Sequence, residues 1–129
     1  MPLCALAMNR LLSPRTFKVA FFVAAVFALI TALLPSPPFE PTFAYADKVK
    51  HFVGFVLLAG LAWVGFPQAP QRLIVERLSF FGAMIEVFQS IPALHRDCDV
   101  FDWATDTVAV VIAVALLARL MPARRLAQG

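Results

Sequence analysis

Four long apolar blocks constrain this chain more than any other feature of its sequence. They cover residues 17–34, 49–66, 73–91 and 103–121, so each is 18 or 19 residues long. A helix needs about 20 apolar residues to cross the roughly 30 Å of hydrocarbon in a bilayer. The blocks also lack the alternation of apolar and polar residues that marks membrane-spanning strands. The sequence therefore predicts an all-α membrane protein with four transmembrane helices in a compact bundle.

Prolines and overall composition support this division of the chain. Pro35, Pro67, Pro92 and Pro122 each follow one apolar block directly, and proline ends helices because it lacks an N–H and clashes with the preceding turn. Hydrophobic residues make up 61% of the 129 residues and charged residues only 15%, whereas about 25% of a soluble domain is charged. We predict one membrane domain that covers residues 1–129.

The first apolar block has a second interpretation as a signal peptide. Arg10, Arg15 and Lys18 lie near its start, and Ala44-Tyr45-Ala46 resembles a cleavage site. The apolar run, however, exceeds the roughly 7 to 15 residues of a signal-peptide core, and a proline-rich segment separates it from that site. We therefore interpret the block as a retained helix.

The third block is the least apolar of the four. Glu76, Arg77, Glu86 and Gln89 interrupt it, and charged residues within a membrane helix generally face the bundle interior rather than lipid. We therefore expect the third helix to be the most enclosed, with the second and fourth helices on either side of it.

Basic residues are distributed unevenly between the two ends of this four-helix arrangement. Eight of the eleven fall on one side, and only Lys48, Lys50 and Arg96 fall on the other. The eight are Arg10, Arg15, Lys18, Arg72, Arg77, Arg119, Arg124 and Arg125. By the positive-inside rule this predicts that both termini are cytoplasmic. The topology accounts for the net charge of +3 without a nucleic-acid partner, and it places Cys4 inside and Cys98 outside, where they cannot form a disulfide with each other.

Polar residues recur at a similar depth on three of the predicted helices. Asp47 and His51 are four residues apart, Glu86 and Gln89 three apart, and Asp102 and Asp106 four apart, as the sequence shows. Such spacings place each pair on one helix face. With a rise of about 1.5 Å per residue, His51, Glu86 and Asp106 all lie roughly 6 to 9 Å inside the predicted outer interface. We expect them to form one polar site, with Arg96 above it in the connecting loop.

Some of these residues also have purely structural interpretations. Asp99 and Asp102 precede or begin the fourth helix, where a carboxylate caps free N–H groups and interacts favourably with the helix dipole. Lys48 suits a side chain that reaches the lipid headgroups. Capping does not explain Glu86 and Asp106, because both lie a turn or more inside their helices. An intramembrane carboxylate needs partners, and functional sites are where such residues are usually found.

The order of these residues along the chain resembles a known family. The set comprises Asp47-Lys48-x-x-His51-Phe52, then Glu86-x-x-Gln89, then Arg96 ahead of Asp102. It resembles the VanZ-like family of small bacterial membrane proteins, named for an accessory protein of teicoplanin resistance. The resemblance covers residue 47 to about residue 117. It implies a short helical domain in the cell envelope and a link to antibiotic resistance, but it implies no established reaction.

Several positions depart from the pattern of that family. Phe55 stands where a tyrosine is usual, and Asp106 replaces a common asparagine. Ala109 and Ala113 stand at small positions usually held by glycine, and alanine still permits close helix packing. The change to Asp106 adds a titratable group, which favours a proton or metal role over that of an amide.

The sequence leaves three functions open. The first is a non-enzymatic envelope protein whose outward polar site binds a lipid headgroup, a glycopeptide-like ligand or a partner, with Lys48 and Arg96 meeting phosphate. The second is a membrane enzyme acting on a lipid-linked substrate, with a divalent cation held by His51, Glu86, Asp102 and Asp106. The third is a proton-coupled transporter working as a homo-oligomer. We prefer the first function, a non-enzymatic envelope protein, which requires no cofactor.

Overall fold

The computed structural model describes residues 13–35, 45–96 and 98–122. Within these residues the chain forms four α-helices, and a short 3-10 helix, Pro92–Leu94, lies between the last two. The α-helices are α1 Pro14–Leu33, α2 Ala46–Gly65, α3 Gln71–Gln89 and α4 Val100–Leu120. The all-α prediction is confirmed. Each helix begins two or three residues before its apolar block, because the block leaves out polar residues of the first turn, such as Arg15, Asp47, Arg72 and Asp102.

Three of the four helices are long and apolar enough to cross a membrane. These are α1, α2 and α4, which have 20, 20 and 21 residues. Helix α3 has 19 residues but carries four charged ones, namely Arg72, Glu76, Arg77 and Glu86. The structure therefore supports a membrane protein with three apolar spans, and α3 is distinguished from them by charge rather than by length.

The helices run up and down, each antiparallel to the next. Helix α1 ends beside the end of α3, where Gln89 Nε2 donates a hydrogen bond to the carbonyl of Ala32 at 3.0 Å. At the opposite end of the bundle, residues 65–69 and the first turn of α1 line one groove. The starts of α2 and α4 lie side by side, as the ion pair between Lys48 and Asp99 shows. One end of the bundle thus contains the starts of α2 and α4 and the ends of α1 and α3.

Among the residues that the structure describes, the basic side chains are divided unequally between these two ends. Arg15, Lys18, Arg72, Arg77 and Arg119 belong to one end, and Lys48, Lys50 and Arg96 belong to the other. Four residues used in the topology prediction, Cys4, Arg10, Arg124 and Arg125, lie outside the described residues. The orientation of the termini therefore stays a prediction.

Helices α2 and α4 form the central pair of the bundle. Helix α1 packs mainly on α2 and helix α3 mainly on α4. Small buried residues, including Ala59, Ala62, Ala109 and Ala113, let the two central backbones approach closely, as small residues do in membrane helices. The expectation that α3 is the most enclosed helix is therefore wrong. Glu86 and Gln89 of α3 are buried, but its charged residues Arg72, Glu76 and Arg77 are exposed. Phe80 is 65% exposed.

The outer surface of the bundle is apolar over much of its area. Helix α1, all of which is described, has no buried residue, although it is long and apolar enough to cross a membrane. Val23 and Phe27 are each more than 60% exposed, and so are Val100 and Phe101 on α4. An apolar surface of this extent is typical of contact with lipid or with another protein, which agrees with a membrane setting.

Candidate functional site

The starts of α2 and α4 and the end of α3 bring six polar side chains together. They are Lys48 and His51 of α2, Glu86 of α3, Asp102 and Asp106 of α4, and the loop residue Asp99, and we call this group the polar cluster. Polar residues one turn apart lie on the same face of a helix. In each of these helices that face also carries buried apolar residues. Six of the nine residues that the sequence predicted for a polar site thus lie in one cluster.

His51 and Asp106 form the deepest pair of the cluster. His51 Nδ1 lies 3.0 Å from Asp106 Oδ1, and the Asp106 side chain is completely buried. Its second oxygen, Oδ2, has no hydrogen-bond partner among the described residues. Gly82 of α3 faces this oxygen, and a Cβ at that position would lie 2.9 Å from it. The pair therefore depends on a glycine that lets α3 approach the carboxylate.

Glu86 links the cluster to the connecting loop. Its Oε2 accepts a hydrogen bond from the backbone N–H of Asp99 at 2.9 Å. Its Oε1 is buried and has no hydrogen-bond partner in the described parts of the chain. The residue is only 5% exposed, so the prediction that Glu86 points into the bundle is confirmed.

Lys48 joins the two aspartates at the start of α4. Its Nζ lies 2.7 Å from Asp99 Oδ2 and 2.7 Å from Asp102 Oδ1. The interpretation of Lys48 as a side chain that reaches lipid headgroups is therefore wrong, because the two carboxylates lie within its reach and bind it at the helix ends.

Asp99 also caps α4, as the sequence predicted. Its Oδ1 accepts a hydrogen bond from the N–H of Phe101 at 2.8 Å. The hydrogen bond from Lys48, together with the Phe101 N–H, holds the pKa of the Asp99 carboxyl below its usual value. Asp102 lies in the first turn of α4 as predicted, but it pairs with Lys48 as well, so capping is not its whole role.

Three predicted site residues lie outside the cluster. Asp47 pairs with Lys50 at 3.2 Å on the exposed side of α2. Gln89 is buried but donates its hydrogen bond to the end of α1. Arg96 does not meet the carboxylates, because its Nε donates to the carbonyl of Leu34 at 3.0 Å. Arg96 thus lies in the connecting loop as predicted, but the structure shows it bound to α1 rather than to the carboxylates. Its backbone follows a left-handed turn at His95, with φ of 49°, and its side chain is bound at the end of α1.

Two residues near the cluster were not predicted from the sequence. Gly82 lies one turn before Glu86, and that spacing is the signal that would have identified it. Cys98 is an exposed free cysteine next to Asp99. Partial desolvation raises the pKa of its thiol, and the negative charges of Glu86 and Asp99 add to this effect. The thiol therefore lies close enough to the cluster to sense its charge.

A second set of hydrogen bonds joins α3 to α4 below the cluster. Ser79 Oγ and Thr107 Oγ1 lie 2.8 Å apart, and Trp103 Nε1 donates to the carbonyl of Ser79 at 3.1 Å. Polar contacts of this kind between membrane helices stabilise the pair modestly, by about 0.6 kcal/mol on average. They hold α3 against α4 next to the polar cluster.

The cluster has the residue types of a cation site. One ligand atom each from His51, Glu86 and Asp102 lie within 4.8 Å of one another. Asp106, the fourth residue predicted as a metal candidate, contacts His51 instead. Four carboxylates and one lysine give the cluster a formal charge of −3 when the histidine is neutral. Such an arrangement can bind a cation or a group that donates several hydrogen bonds.

Comparison with known proteins gives no relative for this chain: no protein-family model, no curated protein and no solved structure matches it.

Proposed function

We propose that this chain is a VanZ-like protein of the bacterial plasma membrane whose polar cluster binds a hydrogen-bond-donating group of an envelope ligand. In this proposal the four helices cross the membrane, both termini are cytoplasmic and the cluster faces outward. The observation that carries the proposal is the buried carboxylate oxygen Glu86 Oε1, which lacks a partner among the described residues. An unsatisfied buried acceptor is costly, and a ligand that donates to it would recover that cost.

The chemistry of the ligand follows from which groups are already occupied. Both nearby cations are engaged, since Lys48 binds two aspartates and Arg96 binds the end of α1. Phosphate recognition by these two side chains is therefore less favourable than the sequence suggested. The remaining capacity lies in carboxylate oxygens, which accept hydrogen bonds and attract positive charge. Ammonium, amide and hydroxyl groups of a lipid headgroup or a glycopeptide-like molecule fit these acceptors.

The orientation in the membrane rests on the basic residues. Eight of eleven lie toward one end in the four-span arrangement, and cytoplasmic loops carry such an excess. The cluster lies at the other end of the bundle, with Lys48 and Asp99 at the first turns of α2 and α4. In this orientation the cluster opens toward the outer face, where glycopeptides and lipid-linked wall precursors are found.

Native mass spectrometry in detergent tests the proposal directly. The wild-type protein should retain a lipid or lipid-linked adduct from the membrane. Glu86→Gln keeps the shape of the side chain and removes its charge, so it should lose most of the adduct while keeping the helical content. Asp99→Asn should be milder, because asparagine caps a helix nearly as well as aspartate.

Asp47→Asn is the matched control, since it removes a carboxylate at the same end of the bundle but outside the polar cluster. It should retain the adduct. If Glu86→Gln retains the adduct while Asp99→Asn loses it, the ligand binds at the loop and the proposal is wrong. Teicoplanin susceptibility of cells that express each variant provides a second readout of the same comparison.

A membrane enzyme acting on a lipid-linked substrate is the alternative with structural support. The proximity of His51, Glu86 and Asp102 provides ligands of the types that hold catalytic zinc. Detection of a chemically altered lipid after incubation with the wild-type protein, and not with Glu86→Gln, would favour the enzyme.

A further inference from the structure

We propose that His51, Glu86 and Asp102 hold a divalent transition-metal ion, Mn²⁺ or Zn²⁺, in the polar cluster. The inference concerns the same site as the proposed function and rests on its being a ligand site, but it names a resident ion where the proposed function names an envelope ligand. The two have separate tests.

The separation of the ligand atoms fits a single ion. One atom from each of the three residues lies within 4.8 Å of the other two. Zinc–ligand distances are about 2.0 to 2.2 Å and calcium–oxygen distances about 2.3 to 2.6 Å. Two ligands on opposite sides of one ion are therefore about 4 to 5 Å apart, and neighbouring ligands are closer. Small side-chain movements are enough to bring all three onto one ion.

Asp106 gives His51 the arrangement of a metal-binding histidine. Its Oδ1 lies 3.0 Å from His51 Nδ1 and is fully buried. A ligating histidine usually donates its second ring N–H to a carboxylate, which fixes the tautomer and the ring orientation. With Nδ1–H donated to Asp106, the lone pair of Nε2 is available to the metal. Asp106 thus acts as a positioning residue for His51.

The two carboxylate ligands keep free oxygens. Glu86 uses Oε2 to bind the Asp99 N–H, and its buried Oε1 has no partner in the part of the chain that the structure describes. Asp102 uses Oδ1 to bind Lys48, which leaves Oδ2. Each carboxylate is therefore held in place by one oxygen while the other can bind an ion. The unpartnered Glu86 oxygen is the observation that points to a ligand beyond the mere proximity of acidic groups.

Charge and ligand type together select the class of ion. The cluster has a formal charge of −3 with a neutral histidine, from four carboxylates and Lys48. A divalent ion would reduce this to −1, which lowers the cost of keeping the carboxylates within the bundle. Imidazole favours zinc and similar transition metals, whereas carboxylates suit manganese. A mixed set of one imidazole and two carboxylates therefore favours Mn²⁺ or Zn²⁺ over Mg²⁺ and Ca²⁺.

Metal analysis of the full-length protein in detergent tests the inference. The protein is treated with a chelator, reloaded with Mn²⁺ or Zn²⁺, freed of excess ion and analysed by mass spectrometry for bound metal. The wild type should bind about one ion per chain. His51→Gln and Glu86→Gln should lose stoichiometric binding. Asp106→Asn should weaken binding by about 10- to 100-fold, the usual effect of removing the partner of a ligating histidine.

Two further variants keep the result interpretable. Asp47→Asn should bind metal as the wild type does, because Asp47 pairs with Lys50 outside the cluster. Cys98→Ser should also bind normally, and loss of binding in this variant would assign the ion to the thiol and overturn the assignment. Circular dichroism of every variant establishes that its helices are intact.

The inference is overturned if the wild type binds neither ion, or if both His51→Gln and Glu86→Gln bind as the wild type does. Retention of the lipid adduct by metal-free wild-type protein would then leave the proposed function standing. The opposite result, in which metal binds but no adduct is found, would support the ion and contradict the envelope ligand.

Discussion

At the scale of single residues, Asp106 shows how the bundle accommodates a buried carboxylate. It is completely buried, one oxygen contacts His51 at 3.0 Å, and the other faces Gly82. A carboxylate within a membrane bundle needs a polar partner, and His51 is the one that Asp106 has among the described residues. The polar partner was predictable from the sequence, since His51 and Asp106 recur at similar depth. The spacing of Gly82 one turn before Glu86 indicates that it shares a helix face with that residue, but its close approach to Asp106 depends on the rotation of the helices, which the pattern of polar residues does not determine.

Gly82→Ala should destabilise the bundle through this contact. The added Cβ would lie 2.9 Å from Asp106 Oδ2 and 3.3 Å from Asp106 Cβ. His51 fixes the carboxylate, so α3 has to move away, and overpacking of this kind costs about 1 to 3 kcal/mol. Unfolding by denaturant in detergent micelles measures the change in the free energy of unfolding. Gly54→Ala is the matched control, because a Cβ there would meet nothing within 4 Å, and equal stability of the two variants would contradict the expectation.

The ion pair between Lys48 and Asp99 should make stability depend on acid pH. The pKa of Asp99 is lowered in the folded state, chiefly by its hydrogen bond from Lys48. A lowered pKa means that the pair stabilises the fold above the ordinary carboxyl pKa and that this contribution disappears as pH falls through the folded value. Asp99→Asn, which retains the cap, should therefore melt below the wild type at pH 7. The difference in Tm should shrink as pH falls below the ordinary carboxyl pKa, and a constant difference down to strongly acid pH would contradict the ion pair.

At the scale of helices, the sequence predicted which segments are helical but not how they pack. Apolar blocks and prolines located all four helices, because both features act on the chain locally. The central position of α2 and α4 depends instead on packing in three dimensions, in which small residues such as Ala59, Ala62 and Ala109 are buried. Helix α3 carries four charged residues, of which only Glu86 is buried. Glu86 shares the buried face with apolar residues such as Ile85 and Leu78, whereas Phe80 faces outward.

The packing of α1 on α2 should be sensitive to a side chain added at Gly65, the last residue of α2. A Cβ at Gly65 would lie 2.8 Å from the backbone nitrogen of Lys18. Backbone atoms cannot rotate away, so Gly65→Ala should separate α1 from α2 and lower the free energy of unfolding by about 1 to 3 kcal/mol. Gly60→Ala, in the same helix with nothing within 4 Å of the added Cβ, is the control. Thermal unfolding in detergent compares the two, and similar Tm values would argue against a close contact.

At the scale of the whole molecule, the end of the bundle that holds the cluster is the part best predicted from the sequence. Its helices, their polar faces and the three deep side chains of His51, Glu86 and Asp106 were expected, because turn spacing and depth follow from helix geometry. The hydrogen-bond partner of Arg96 was not predictable in this way, because its long side chain leaves the loop toward Leu34. The path of a loop side chain depends on the local backbone, here a left-handed residue at His95, which spacing alone does not indicate.

Cysteine labelling should determine which end of the molecule faces outward. The chain has two cysteines, and Cys98 is exposed beside the cluster. An impermeant maleimide applied to intact spheroplasts should label Cys98 and spare Cys4. Because desolvation and nearby carboxylates raise the pKa of Cys98, less thiolate is present at neutral pH, so labelling should be slow and should accelerate as pH rises. Cys98→Ser should abolish the signal, and labelling of Cys4 alone would reverse the topology.

The attachment of α1 has a consequence for how relatives of this protein diverge. Gln89 and Arg96 bind α1 through the carbonyls of Ala32 and Leu34, and every residue type offers a backbone carbonyl. Substitutions at positions 32 and 34 therefore leave both hydrogen bonds intact, whereas substitutions at the two donors remove them. Over evolutionary time α1 should drift freely within the limits of hydrophobicity, while Gln89 and Arg96 persist. In an alignment of homologues the first helix should be the most variable segment. Gln89 and Arg96, which bind it from far away in the sequence, should be among the least variable positions.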